Sequence, residues 1–124
     1  MTDQSKEPLQ GRRILIIEDD FFVGQALLCV LELAGATVLG PIGRLDEALE
    51  YVKSKDNLID GAVLDVNLHG ERSYPVADVL HQRDVRFVFA TGYGIDSLDA
   101  EYAGHDRVEK PFDHERLLAK LADV

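Results

Sequence analysis

The chain predicts an α/β fold, a five-stranded parallel sheet with helices on both faces. Three observations carry this. Short apolar runs alternate with 3.6-residue amphipathic patterns five times along 124 residues. The run 61–64, Gly-Ala-Val-Leu, is apolar throughout and too short for a helix, as expected of a strand buried on both faces at the sheet centre. That run ends on a carboxylate, Asp65, and open α/β sheets bind ligands at the carboxyl ends of their strands. Alone, Asp65 serves equally well as a cap of the following turn. The other strand ends decide between the two.

In chain order, residues 12–17 contain Ile-Leu-Ile-Ile, a buried strand that ends in Glu18-Asp19-Asp20. Val23, Leu27, Val30, Leu31 and Ala34 then line one helix face, and Gly35 is placed to end that helix. Residues 37–39 form a short strand closed by Gly40-Pro41. Leu45, Ala48, Leu49 and Val52 trace a second helix with a polar exit at 53–57. The central strand follows, with an exit loop at 68–74. Ser73 is expected to cap a third helix that carries Pro75 in its first turn and buries Val76, Val79 and Leu80. Residues 86–90, Arg-Phe-Val-Phe-Ala, form the fourth strand and end on Thr91. Residues 107–109 form a short edge strand that runs into Lys110-Pro111. Asp113 caps a last helix that buries Leu117, Leu118 and Leu121. In 92–104, glycines and aspartates break the helical spacing. A short or mobile fourth helix is expected there, ordering on phosphorylation or partner binding.

Length bounds this to one domain, residues 12–124, behind a flexible polar tail at 1–11. A net charge of −10 argues against a nucleic-acid partner, whose phosphates it would repel, and is compatible with a cation site. Residues 1–11 lack the apolar core of a signal peptide, and no apolar run nears the roughly 20 residues that span a bilayer. A soluble, cytoplasmic protein with no membrane partner is expected. Cys29, within a helical apolar pattern, reads as a buried reduced thiol. His69, His81, His105 and His114 show no ligand spacing and read as surface residues. Of Phe21 and Phe22, one is expected in the core and the other exposed for a partner.

The strand ends now form one list. The first strand supplies Glu18, Asp19 and Asp20, the third Asp65, the fourth Thr91 and the fifth Lys110. Parallel strands bring these to one sheet edge, and the order 2-1-3-4-5 makes the first and third strands neighbours. Carboxylates so close need a counter-charge. A hard dication with oxygen ligands supplies it, and Mg²⁺ suits one or two carboxylates plus waters and a phosphate oxygen. Lys110 adds a second cation and Thr91 a hydroxyl. Asp20 reads as a helix N-terminal charge rather than a ligand. Such a site suits phosphoryl transfer to a carboxylate, which demands positioning and charge neutralisation.

Glu18-Asp19, Asp65, Thr91 and Lys110-Pro111, in this order on these strands, resemble the receiver domain of two-component response regulators, a flavodoxin-like (βα)5 fold. Residues 89–94, Phe-Ala-Thr-Gly-Tyr-Gly, are similar to its Phe-Ala-Thr-Gly subclass of single-domain receivers. The resemblance implies that Asp65 takes a phosphoryl group from a sensor histidine kinase, of the divergent HWE/HisKA2 type, or from a histidine phosphotransfer protein. It implies Mg²⁺ held by Asp19, Asp65 and the backbone carbonyl of Asn67, with Glu18 acting through water. Thr91 would bond the phosphoryl oxygen and move on activation. Lys110 would pair with the phosphate, and its bond to Pro111 would be cis. Arg107 stands where the family carries an aromatic switch residue, a role that Tyr93 or Tyr102 could take over.

The chain ends one helix after Lys110, so a stand-alone receiver is expected. It would not be an enzyme beyond its own phosphorylation and dephosphorylation. It would signal through the fourth strand, fifth strand and last helix, or act as a phosphate sink. The competing enzyme class is a haloacid-dehalogenase-like, Mg²⁺-dependent phosphohydrolase. That class wants a second Asp two residues after the nucleophile, where this chain has Asn67. A flavodoxin-like cofactor-binding module would need a phosphate-cradling loop after the first strand, where Glu18-Asp19-Asp20 stands instead.

Overall fold

The β-branched and aliphatic run 13–17 forms the strand around which the sheet is laid down. The computed structural model describes residues 7–92, 98–110 and 113–122. Its parallel sheet contains β1 (Arg13–Ile17), β2 (Thr37–Ile42), β3 (Gly61–Asp65), β4 (Arg86–Thr91) and β5 (Arg107–Glu109), in the expected order β2-β1-β3-β4-β5. The helices are α1 (Phe21–Leu33), α2 (Leu45–Lys53), α3 (Tyr74–Gln82) and α4 (His114–Ala122).

Strand periodicity of two sorts the core into two layers. Leu15, Ile17, Ala62, Leu64, Phe87 and Phe89 point to one face, where Ala48 and Val52 of α2 and Val76, Ala77 and Leu80 of α3 cover them. Ile14, Ile16, Val63, Val88, Ala90 and Val108 point to the other, beneath Leu27 and Leu31 of α1 and Leu117 and Leu121 of α4. Every residue of β3 is buried, the apolar run 61–64 together with its terminal Asp65. Long side chains staple helices to their neighbours. Arg83 donates to the carbonyls of Val52 (2.9 Å) and Asn57 (2.8 Å), and Arg12 donates to that of Leu121 (3.2 Å).

Several local expectations are corrected. β2 does not stop at Leu39. It runs through Gly40 and the cis Gly40–Pro41 peptide to Ile42, and a register shift between Leu15 and Ile17 restores pairing. Gly40 lies at φ +89°, and a Cβ there would stand 2.7 Å from the Ile16 carbonyl oxygen, so only glycine allows this continuation. Pro41 is tolerated because β2 is an edge strand. Ser73 sits at the N-cap of α3, but its buried hydroxyl makes no capping bond and has no partner; its carbonyl takes the N–H groups of Val76 and Ala77 instead. Asp113 does cap α4, accepting from Glu115 and Arg116.

The loop after β3 contains a small hairpin. Asn67–Leu68 pairs antiparallel with Glu71–Arg72 around His69 and Gly70. In the fourth-helix region, the described residues hold a 3₁₀ turn, Ala100–Tyr102. Residues 93–97 lie outside the described residues, and so do Tyr93 and the Lys110–Pro111 bond.

α1 is apolar on nearly all sides, so it cannot bury every large side chain. Phe21 and Phe22 are both exposed, at 69% and 81%, rather than one inside and one out. Cys29 is exposed too. It lies two residues from both Leu27 and Leu31, about 200° around the helix from each, and so points away from the sheet.

The tail expected at 1–11 also differs in its second half. Leu9 is fully buried among Ile14, Leu31 and Ala34, and its N–H bonds the Ala34 carbonyl at 2.9 Å. A single apolar residue in a polar stretch gives no periodic signal, so composition alone reads the segment as solvent-facing. Replacing Leu9 with Ala should cost about 2–4 kcal/mol of stability by urea titration. An unchanged midpoint would show that residues 7–11 do not belong to the core.

Candidate functional site

β1 and β3 pair through Ile17 and Leu64, so the residues that follow them emerge side by side at one sheet edge. Glu18, Asp19 and Asp65 meet there, with one carboxylate oxygen of each lying within 4.8 Å of the others. This is the group of His, Cys, Asp and Glu among the described residues that could hold a metal ion. Glu18 and Asp65 are buried, while Asp19 is half-buried at the rim. Gly43 permits the close approach of the β2–α2 connection, since a Cβ there would lie 3.3 Å from the Asp19 Cα.

Lys110 reaches this cluster from the end of β5. Its Nζ lies 3.0 Å from Asp65 Oδ2 and 3.1 Å from Glu18 Oε1. The contact with Glu18 Oε1 is ionic but poorly aligned, so that buried oxygen has no hydrogen-bond donor. The backbone places Lys110 through its N–H bond to the Thr91 carbonyl, 2.9 Å. Thr91 is buried, and its hydroxyl donates to the Val108 carbonyl across β4 and β5 at 3.4 Å. Asn67 bonds Asp65 Oδ1 through its backbone N–H at 3.1 Å. Its side-chain oxygen accepts from the Gly70 N–H at 2.8 Å. Asp20 caps α1, accepting from the N–H groups of Phe22 and Val23, and its own N–H donates to Glu18 Oε2 at 3.1 Å.

The sequence did not single out His69 for this site. Its N–H donates to Asp19 Oδ2 at 2.9 Å. A contact between residues fifty positions apart leaves no local signal; a His-Gly pair inside a polar loop was the available hint. Arg107, on β5, is exposed. Tyr102 instead stacks on Tyr74, with ring centroids 4.0 Å apart, and donates to Asp78 at 3.0 Å. His105 is half-buried against Phe87, and the other three histidines are exposed.

Electrostatics follow from the crowding. Burial first, then the hydrogen bond and charge of Asp65, push the Glu18 carboxyl up to about 8. Burial acts to lower the pKa of Lys110, but the carboxylates of Asp65 and Glu18 outweigh it and hold the ammonium above its ordinary value. Burial acts to raise the pKa of Asp19; the His69 N–H, its own backbone N–H, the charge of His69 and a hydrogen bond from Glu18 together outweigh it, and the net shift is downward. A buried carboxyl that keeps its proton near neutrality and has one oxygen without a donor fits a site that exchanges protons for a hard cation.

A carboxyl raised on folding stabilises the fold below its unfolded value of 4.5, and that stability is lost as pH climbs through about 8. Without divalent cations, Glu18→Gln should therefore gain in melting temperature over the parent chain as pH rises from about 5 to about 9. Each pKa unit corresponds to about 1.4 kcal/mol, so the gain should reach at least about 4 °C in calorimetry. A difference independent of pH would contradict the burial of this carboxyl.

Among the described residues no helix is long and apolar enough to cross a membrane. No family model matches the chain. The solution structure of SdrG from Sphingomonas melonis Fr1 is similar over 90% of this chain and 97% of that one, with 40% identity and a TM-score of 0.79. The BeF3-activated conformation of SdrG from Pseudomonas melonis Fr1 covers 90% of this chain and 96% of that one, with 39% identity and a TM-score of 0.74. A protein assigned as a response regulator in Chloroflexus aurantiacus J-10-fl covers 90% of this chain and 98% of that one, with 28% identity and a TM-score of 0.71. The uncharacterized transcriptional regulatory protein YbdJ of Bacillus subtilis is 29% identical over 94% of this chain, which spans about half (52%) of its length. With the acidic cluster, the strand-end lysine and this sheet order in place, the chain belongs to the receiver-domain family of response regulators.

Proposed function

We propose that this chain acts as a response-regulator receiver, phosphorylated on Asp65 by a sensor histidine kinase or a histidine phosphotransfer protein. The observation that carries this reading is the position of Lys110 Nζ, 3.0 Å from Asp65 Oδ2, with Glu18 and Asp19 beside it. Asp65 is the acceptor. One of its carboxylate oxygens forms the new P–O bond while the P–N bond of the donor phosphohistidine breaks, and the imidazole departs. The Phe-Ala-Thr-Gly run at 89–92 fits a donor of the divergent HWE/HisKA2 type.

Mg²⁺ fits the residues present: two buried carboxyls, a third at the rim, and a buried oxygen with no donor. Asp19, Asp65 and the Asn67 carbonyl would hold it directly, and Glu18 through water. When bound, it neutralises charge on the transferring phosphoryl group. Lys110 answers the remaining charge and holds Asp65 in place beforehand. The Thr91 hydroxyl, now bonded to the Val108 carbonyl, would turn to the phosphoryl oxygen. That turn would loosen a link between β4 and β5, which together with α4 form the output face. Tyr102, anchored on Tyr74 and Asp78, takes the aromatic part left open at Arg107. Signalling then runs through protein contact, or the domain acts as a phosphate sink, in the cytoplasm.

A phosphohydrolase of the haloacid-dehalogenase type fits less well. Asn67 has its side-chain oxygen committed to Gly70 and is an amide, so it cannot serve as the acid/base group such an enzyme needs. Incubation with Mg²⁺ and acetyl phosphate should add one phosphoryl group by intact mass, and Asp65→Asn should take up none. Lys110→Ala should slow uptake by about two orders of magnitude, the usual scale for removing one transition-state charge. Uptake by Asp65→Asn would move the acceptor elsewhere, and sustained turnover of a phosphomonoester would favour the hydrolase.

A further inference from the structure

We infer that the hairpin turn His69-Gly70 is the positioning element for Asp19, acting through the His69 backbone N–H and not through the imidazole. The inference rests on the Mg²⁺ reading above and adds a residue to that site. The N–H lies 2.9 Å from Asp19 Oδ2. The imidazole Nδ1 lies 3.6 Å from the same oxygen, too far for a hydrogen bond, on a side chain that is 64% exposed. The backbone, by contrast, is tightly specified. His69 lies at φ +51° and Gly70 at +87°, the left-handed pair that a two-residue hairpin turn of the I′ kind needs. A Cβ on Gly70 would meet nothing within 4 Å, so glycine serves conformation there and not space.

The hairpin is held at its base and its tip. Asp65 Oδ1 accepts the Asn67 N–H, Asn67 Oδ1 accepts the Gly70 N–H, and the tip reaches Asp19. One short ribbon thus sets the distance between two carboxylates that arrive on different strands. With Oδ2 committed to the hairpin, the other oxygen of Asp19 is left for the cation. What the site requires at position 69 is therefore a residue that tolerates positive φ and carries an N–H.

Mg²⁺ titration of the full chain, followed by calorimetry and amide NMR, tests this. His69→Asn and His69→Gly tolerate positive φ and should keep affinity within about twofold. His69→Val and Gly70→Val oppose it and should weaken Mg²⁺ binding by about 10–100-fold, the range for outer-shell partners of metal ligands. The amide spectrum of the five-stranded sheet, unchanged in the valine variants, separates this loss from unfolding, and the milder Gly70→Ala should fall between. Without metal, Asp19→Ala should speed hydrogen exchange at the His69 amide. Equal loss in His69→Gly and His69→Val would assign the role to the imidazole and overturn the inference. Unchanged affinity in both valine variants would overturn it as well. A parent chain that binds no Mg²⁺ would overturn the metal reading itself and this inference with it.

Discussion

Confinement of like charge at the end of β1 and β3 is the constraint on which the rest depends. Glu18 and Asp65 are buried side by side, and Asp19 stands at their rim. Such an arrangement persists only if something offsets the repulsion and the loss of hydration. Here the offset comes from two sources, the ammonium of Lys110 between Asp65 and Glu18 and a proton kept on Glu18. Both can be exchanged. Under the proposed function a dication would displace the proton, and a phosphoryl group on Asp65 would give the ammonium a new partner.

The frame around the cluster keeps it in place. β1, β3 and β4 are packed from both faces, and β5 is packed from one through Val108. Lys110 is tied to Thr91 through the backbone, and the Thr91 side chain is tied to Val108. Gly40 within β2 and the His69-Gly70 pair after β3 use left-handed backbone. The exposed Phe21 and Phe22 follow directly after the acidic residues.

Much of this was legible beforehand, for identifiable reasons. β1, β3 and β4 are buried on both faces and therefore read as unbroken apolar runs. Each strand end carries a residue that an apolar run does not explain: Glu18, Asp65, Thr91, Lys110. The misreadings concern features that lack a repeating pattern. Leu9 is one apolar residue among polar ones. The continuation of β2 past Pro41 depends on a register shift with β1. Ser73 has the composition of a cap and the burial of a core atom. On α1, apolar residues surround the helix, so composition could not tell which of Phe21 and Phe22 faces water; Cys29 was readable from its place opposite Leu27 and Leu31.

The sequence by itself determined the alternation of strands and helices, the parallel sheet covered on both faces and the chemical types carried at the strand ends. These are set by periodicity and by the handedness of crossovers, which act over short stretches. Tertiary structure alone decided how near Lys110 comes to Asp65 and Glu18, which way Thr91 and Ser73 turn, and that a turn at His69 rests on Asp19. Such contacts join residues tens of positions apart, and their geometry depends on how whole layers pack.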